Sequence, residues 1–155
     1  MKIRLLTVSH KQPAWVLAAC DEYGRRLPRE WGFQIVEIKP APRTGGALTD
    51  RVHAAEAERL LAAAPKGARL VALDERGEPW TTAQLAQALA RWQQEGRDVA
   101  LLVGGADGLA PELRARASPC VSLSALTLPH GLVRVVVVEQ LYRAATILQG
   151  HPYHR

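Results

Sequence analysis

Side chains able to move a proton near neutral pH are the first candidates for chemistry, and histidine is the natural one. Three of the five histidines, His130, His151 and His154, fall in the last stretch of the chain. His151 and His154 lie three apart, a spacing a metal could use, with His130 as a possible third ligand. Loop zinc sites, however, recruit cysteine or carboxylate partners, and none lies nearby. No metal centre is expected. Ser-His-Asp and Cys-His sets can be drawn on paper, but no nucleophile-elbow signature supports them.

Glycines supply the second candidate. Val99–Val103 is a short apolar strand running straight into Gly104-Gly105-Ala106-Asp107-Gly108, where missing side chains let the backbone approach a ligand closely. The spacing fits neither the dinucleotide fingerprint nor a phosphate-binding loop, since no Lys-Ser or Lys-Thr follows. The second strand also ends in Ile38-Lys39-Pro40, without the acidic residue that would hold ribose hydroxyls. A nucleoside would therefore be read mainly by main-chain groups. The uncharged run Leu123-Ser124-Ala125-Leu126-Thr127-Leu128 suits that task.

The elements that must hold these residues follow from periodicity and punctuation. Ile3–Val8 reads as a buried strand. Pro13 opens a helix with Val16, Cys20, Tyr23 and Leu27 on one face, and Pro28 stops it. Phe33, Ile35 and Ile38 mark a second strand. The loop Pro40-Ala41-Pro42-Arg43-Thr44-Gly45-Gly46 follows, then a helix with Ala57, Leu60, Leu61 and Ala64 inward. Leu70–Leu73 is the third strand, ending at Asp74-Glu75-Arg76-Gly77. Thr81 and Gln84 form a capping box for a helix burying Leu85, Leu89 and Trp92, which Gly96 ends. After Val99–Val103 come a short helix over Pro111–Ala117, a strand over Val121–Ala125 and a last helix over Leu132–Gln149. Strands alternating with helices give an α/β fold, one domain over residues 1–155 with a mainly parallel sheet flanked by helices. Ligands bind such sheets at the carboxyl ends of the strands. Here these ends are Leu73-Asp74, Gly104-Gly105 and Ser124–Leu128.

Composition narrows the class. The chain has 155 residues, 48% hydrophobic and 23% charged, values that exclude intrinsic disorder. No apolar run approaches the about 18 residues a membrane-spanning helix needs, and Met1–Leu6 does not make a signal peptide. Cys20 and Cys120 fit free thiols, so a cytoplasmic protein is expected. Net charge is +5, and after Glu139 no acidic residue remains while Arg143, His151, His154 and Arg155 follow. A basic end of this kind attracts phosphates.

Taken together, Leu102-Val103-Gly104-Gly105-Ala106-Asp107-Gly108-Leu109, Leu123–His130, Val133-Arg134-Val135, Glu139–Ala144 and the terminal His151-Pro152-Tyr153-His154-Arg155 resemble the RlmH family of SPOUT methyltransferases. Met1-Lys2-Ile3, Trp15, Glu22-Tyr23 and Arg25-Arg26 agree with it. One departure is Ala106-Asp107, where close relatives often carry Pro-Glu. The resemblance covers the whole chain. It implies S-adenosylmethionine-dependent methylation at N3 of a pseudouridine in 23S rRNA on the assembled ribosome, a homodimer and a C-terminal trefoil knot around the cofactor.

By position, the resemblance assigns cofactor contacts to Leu73, Gly104, Leu123, Ser124, Ala125, Leu126, Thr127 and Leu128. The RNA side would take His130, Arg143 and Arg155, with Tyr153, His154 and Arg134 in the chemistry. The tail of one subunit would help complete the other's site. His154 has the intrinsic pKa of a base for the imide proton, Tyr153 could stack on the target base, and Arg134 could hold phosphate or developing charge. Alternatives are a SPOUT-type tRNA methyltransferase, within the same resemblance, and, from the residues alone, a non-catalytic basic RNA-binding module.

Overall fold

Five parallel strands build the centre of the protein in the order β2-β1-β4-β3-β5. The computed structural model describes residues 1–43 and 49–154. The strands are β1 (Ile3–Val8), β2 (Gln34–Ile38), β3 (Arg69–Pro79), β4 (Val99–Val103) and β5 (Cys120–Ser122). The helices are α1 (Ala14–Gly24), α2 (Thr49–Ala63), α3 (Thr82–Glu95), α4 (Pro111–Arg116) and α5 (His130–Leu148). Two single 3-10 turns, Arg29–Trp31 and Pro152–His154, complete the described elements. The loop expected from Pro40 continues into 44–48, which lie outside the described residues.

Every residue of β4 is buried, as a strand between two parallel neighbours with helices on both faces must be. Its side chains alternate. Val99, Leu101 and Val103 join Ile3, Leu5 and Val71 in a core covered by residues of α1, α3 and α5, among them Val16, Cys20, Leu89, Trp92, Val138 and Leu141. Ala100 and Leu102 face the other way, with Leu6, Ala72 and Leu60, under α2 and α4. Two cores separated by one sheet fix the register, because a one-residue slip would exchange them.

The capping box stands as expected: Gln84 N–H donates to Thr81 Oγ1 at 3.1 Å and Thr81 N–H to Gln84 Oε1 at 2.7 Å. Two strands depart from their expected limits. β3 continues to Pro79 because its chain makes an excursion and returns. Arg76 N–H donates to Asp74 Oδ1 at 2.9 Å, turning the backbone out, and Glu78 then pairs with Val121, the residue that Leu73 already faces. Gly77 permits the return, since a Cβ there would stand 2.6 Å from the Val121 backbone. β5 stops at Ser122, before the expected Ala125. There Ser122 Oγ donates to the Ser124 carbonyl at 3.0 Å and Leu126 N–H donates to Ser124 Oγ at 2.9 Å, so hydroxyls bend the chain away from the ladder.

α1 ends at Gly24, earlier than Leu27, although Leu27 is still buried. α5 begins at His130, two residues earlier than its apolar period indicates, and keeps Val135–Val138 helical. Leu102 is fully buried in the second core. Leu102→Ala is expected to destabilise the fold by about 2–5 kcal/mol, read as a lower urea midpoint at unchanged slope.

Candidate functional site

The carboxyl ends of β3, β4 and β5 open onto a cleft of about 500 Å³. Three stretches line it: Leu73–Arg76 from the β3 excursion, Val103–Gly108 from the glycine turn, and Ser122–Ser124 with Leu126–Leu128 after β5. His130 and Val133 of α5 close one side. Of the eight expected cofactor positions, Leu73, Gly104, Leu123, Ser124, Leu126, Thr127 and Leu128 line the cleft. Ala125 sits on the same loop with its side chain exposed, outside the lining.

The glycine turn owes its shape to absent side chains. A Cβ on Gly104 would land on the backbone of Gly108 and Leu109, so only glycine lets these strands of chain cross. The turn closes with Gly108 N–H donating to the Gly105 carbonyl at 2.9 Å, and Gly108 takes φ +77°. His130 Nε2 donates to the Gly104 carbonyl at 2.7 Å, which makes Nε2 the protonated nitrogen. His130, expected on the RNA side, is thus also a clasp between α5 and the glycine turn.

The cleft carries charge that the motifs did not single out. Asp74, Glu75, Arg76 and Asp107 stand in its lining, and Asp107 pairs with Arg43 from the loop before α2. The sequence signal was Asp74-Glu75-Arg76-Gly77 itself, which reads as a strand-ending turn until the return of β3 is seen. His53 and Glu56, also outside the expected set, stand behind the glycine turn on α2: His53 Nε2 donates to the Asp107 carbonyl at 2.9 Å.

Arg134, Arg143 and Tyr153 lie apart from the cleft in this one chain. Arg134 is buried, 1% exposed, and its guanidinium donates to Glu37 Oε1 at 3.0 Å and Ser9 Oγ at 2.6 Å. It ties α5 to the carboxyl ends of β1 and β2 and is not among the cleft's lining residues. Its position in the motif did not reveal this inward turn.

Tyr153 and Arg143 meet at the far end of α5. The Tyr153 ring is 4.5 Å from that of Tyr142, the Arg143 guanidinium lies 5.0 Å over it, and its hydroxyl donates to Glu139 Oε1 at 3.3 Å. Arg143 holds the same carboxylate oxygen through Nε at 2.9 Å and Nη2 at 2.7 Å. From Val133 at the cleft to Tyr142 is about 13 Å along the helix axis. Desolvation first, then the neighbouring Tyr23 hydroxyl and the Glu139 carboxylate, push the Tyr153 phenol up to about 12. It is a neutral hydrogen-bond donor at physiological pH. His151 Nδ1 accepts from Tyr153 N–H at 3.2 Å, within the tail. The His154 side chain and Arg155 lie outside the described residues. Among the described residues no cluster of His, Cys, Asp and Glu able to hold a metal is present, and no helix is long and apolar enough to cross a membrane.

Known proteins match this arrangement end to end. Residues 1–154 match the family described as "Predicted SPOUT methyltransferase". Two curated proteins named ribosomal RNA large subunit methyltransferase H, from Burkholderia ambifaria and Burkholderia lata, are each 59% identical over 155 residues, 100% of this chain and 99% of theirs. Among solved structures, a probable methylase family protein from Haemophilus influenzae superposes with a TM-score of 0.57 at 14% identity, over 99% of this chain and 70% of its own. Another, from work on 2-OH methylation of C/U34 on tRNA, gives 0.52 at 22% identity, over 97% and 98%. These two share the fold. With family match and near-full-length relatives agreeing, the chain belongs to the SPOUT methyltransferase family, enzymes that transfer a methyl group from a donor.

Proposed function

We propose that this enzyme uses S-adenosylmethionine to methylate N3 of a pseudouridine in 23S rRNA on the assembled ribosome, acting in the cytoplasm as a homodimer. The observation that carries the reading is the 59% identity, over essentially complete length, to proteins named for methylation of large-subunit ribosomal RNA.

The cleft fits the cofactor. Its volume of about 500 Å³ lies in the ordinary range for small-molecule sites. Leu73, Leu123 and Leu128 offer apolar surface for a purine, Gly104 leaves room for close backbone approach, and Asp74 and Glu75 bring negative charge to a ligand whose donor end is cationic. Backbone groups of the 123–128 loop, Ala125 included, complete the set. A C-terminal knot is implied by membership of the SPOUT methyltransferase family.

When bound, the cofactor supplies a methyl group on a sulfonium, which leaves as a neutral thioether when the new N–C bond forms. The chain's own groups must orient the base and take its imide proton. His154 is the acceptor in this reading. Tyr153, neutral because its phenol titrates so high, stacks on or donates to the target base and does not serve as the base. Arg143 spends Nε and Nη2 on Glu139 and offers its remaining donors to phosphate, together with Arg155 and His130. Arg134 acts from inside, holding the start of α5 against β1 and β2.

A second copy explains how Tyr153 reaches a cleft that its own helix keeps about 13 Å away. Large apolar side chains stand exposed for such a contact: Trp15 at 57% and Leu126 at 76%, with Leu132 and Leu148.

The deciding experiment offers labelled methyl from S-adenosylmethionine to ribosomes whose target pseudouridine is present but unmethylated, with free tRNA in parallel. Label in 23S rRNA that disappears when the pseudouridine is replaced by uridine is the expected result. Label in tRNA alone overturns the substrate. No label in either, without cofactor binding, leaves a basic RNA-binding module. Gly104→Ala should abolish cofactor binding in calorimetry, because the added methyl meets backbone that cannot yield. For Tyr153 the sign is set by its raised pKa: docking of the neutral phenol is favoured below the ordinary value of 10.0 and weakens as pH rises towards about 12. A phenolate absorbance titration should lose its highest-titrating component in Tyr153→Phe.

A further inference from the structure

Behind the glycine turn, on the face of the sheet opposite α5, lies a carboxylate that the proposed reaction does not use. Glu56 on α2 is 4% exposed. A carboxylate so deep is normally paired with a cation or fully hydrogen-bonded. Here Ala41 N–H donates to Oε2 at 3.1 Å, and Oε1 has no partner among the described residues. The carboxylate fills the space that a side chain on Gly105 would need. A Cβ on Gly105 would stand 2.9 Å from Glu56 Oε1 and 3.2 Å from Val8 Cγ1, so the glycine is slotted between the carboxylate and the end of β1.

His53 stands three residues earlier, on the same face of α2. Its Nε2–H donates to the Asp107 carbonyl at 2.9 Å. His53 therefore holds the turn by a hydrogen bond at Asp107, Glu56 occupies the space beside Gly105, and Arg43 holds the Asp107 carboxylate. On the cleft side, His130 holds the Gly104 carbonyl at 2.7 Å. The turn is clamped from both sides, and every residue from Gly104 to Gly108 lines the cleft.

We propose that His53 and Glu56 are positioning residues of the methyl-donor site, acting through the backbone of the Gly104–Gly108 turn. His53 bonds the floor of the cleft from outside, and Glu56 fills the space beside it. Their substitution changes donor affinity and leaves RNA affinity alone, because neither lines the cleft or belongs to the basic tail. This rests on the reading of the cleft as the cofactor site, and the test separates the two.

S-adenosylmethionine is titrated calorimetrically into the intact wild-type protein and into His53→Ala, His53→Gln, Glu56→Ala, Glu56→Gln and Glu58→Gln, at a temperature where thermal unfolding shows each to be folded. Glu58 is exposed on the same helix and serves as the control. His53→Ala and Glu56→Ala should weaken donor binding about tenfold. His53→Gln, which keeps an N–H within reach of the carbonyl, should restore most of it, and Glu58→Gln should match wild type. In the methylation assay the donor KM should rise while the KM for ribosomes stays constant. Glu56→Gln, which keeps the side chain's size and an oxygen for Ala41 N–H, should likewise retain most of the affinity, and should Glu56→Ala not fold, the His53 pair decides the matter. Wild-type donor affinity in His53→Ala, and in Glu56→Ala where it folds, even with lowered thermal stability, overturns the proposal, since the contacts would then serve stability alone. Failure of the wild-type protein to bind the donor overturns the cleft reading itself.

Discussion

The crossing of two backbone segments at Gly104 is the constraint around which the rest is arranged. Gly104 meets Gly108 and Leu109 so closely that no side chain fits between them. That crossing lets β4, the most buried strand, end abruptly and hand its carboxyl end to a cleft instead of to a loop packed by side chains. Hydrogen bonds around it come from three separate parts of the chain: the turn itself through Gly108, α2 through His53 and α5 through His130. A turn held by backbone and imidazole contacts has little room to relax, so its shape depends on the sheet and both helical layers at once.

Two buried charged side chains sit close to this centre, and each occupies a place where apolar packing cannot do the same work. Arg134 joins α5 to β2 and to Ser9 just beyond β1, and Glu56 joins α2 to Ala41 in the loop after β2, beside Gly105 of the glycine turn. Burying such groups is costly, and a well-packed apolar residue is often as stable. What they add is direction. A guanidinium with partners on two different segments permits one placement of α5, whereas leucines would tolerate several.

The sequence was most legible where one physical rule acted alone. β1 is a mostly apolar run and β4 a continuous one, and their limits in the structure are Ile3–Val8 and Val99–Val103, as periodicity predicts. The capping box of α3 is equally local and equally plain. β3 and β5 were less legible because side-chain oxygens compete there with the ladder: Asp74 turns β3 outward, and Ser122 and Ser124 end β5 early. Such contests are settled by which neighbour is in reach, and that is tertiary information. The loops that line the cleft were legible because glycine and an uncharged run imply backbone recognition. His53, Glu56 and the inward course of Arg134 were not, since an isolated His, Glu or Arg on a helix reads as a solvated residue until the opposite surface is known.

The division along α5 follows from the same physics. Its amino-terminal end meets the cleft through His130 and Val133, in a place with rigid walls and few free side-chain donors. Its carboxyl-terminal end carries Glu139, Tyr142 and Arg143, against which Tyr153 stacks. Rings and guanidinium groups in that cluster can exchange an intramolecular stacking partner for a base at little net cost, because stacking energies on either side are similar. A backbone cradle cannot make such an exchange, for its hydrogen bonds belong to the fold. One helix therefore joins a cleft with rigid walls to an adaptable aromatic and basic cluster, and under the proposed function these ends would serve the small methyl donor and the RNA respectively.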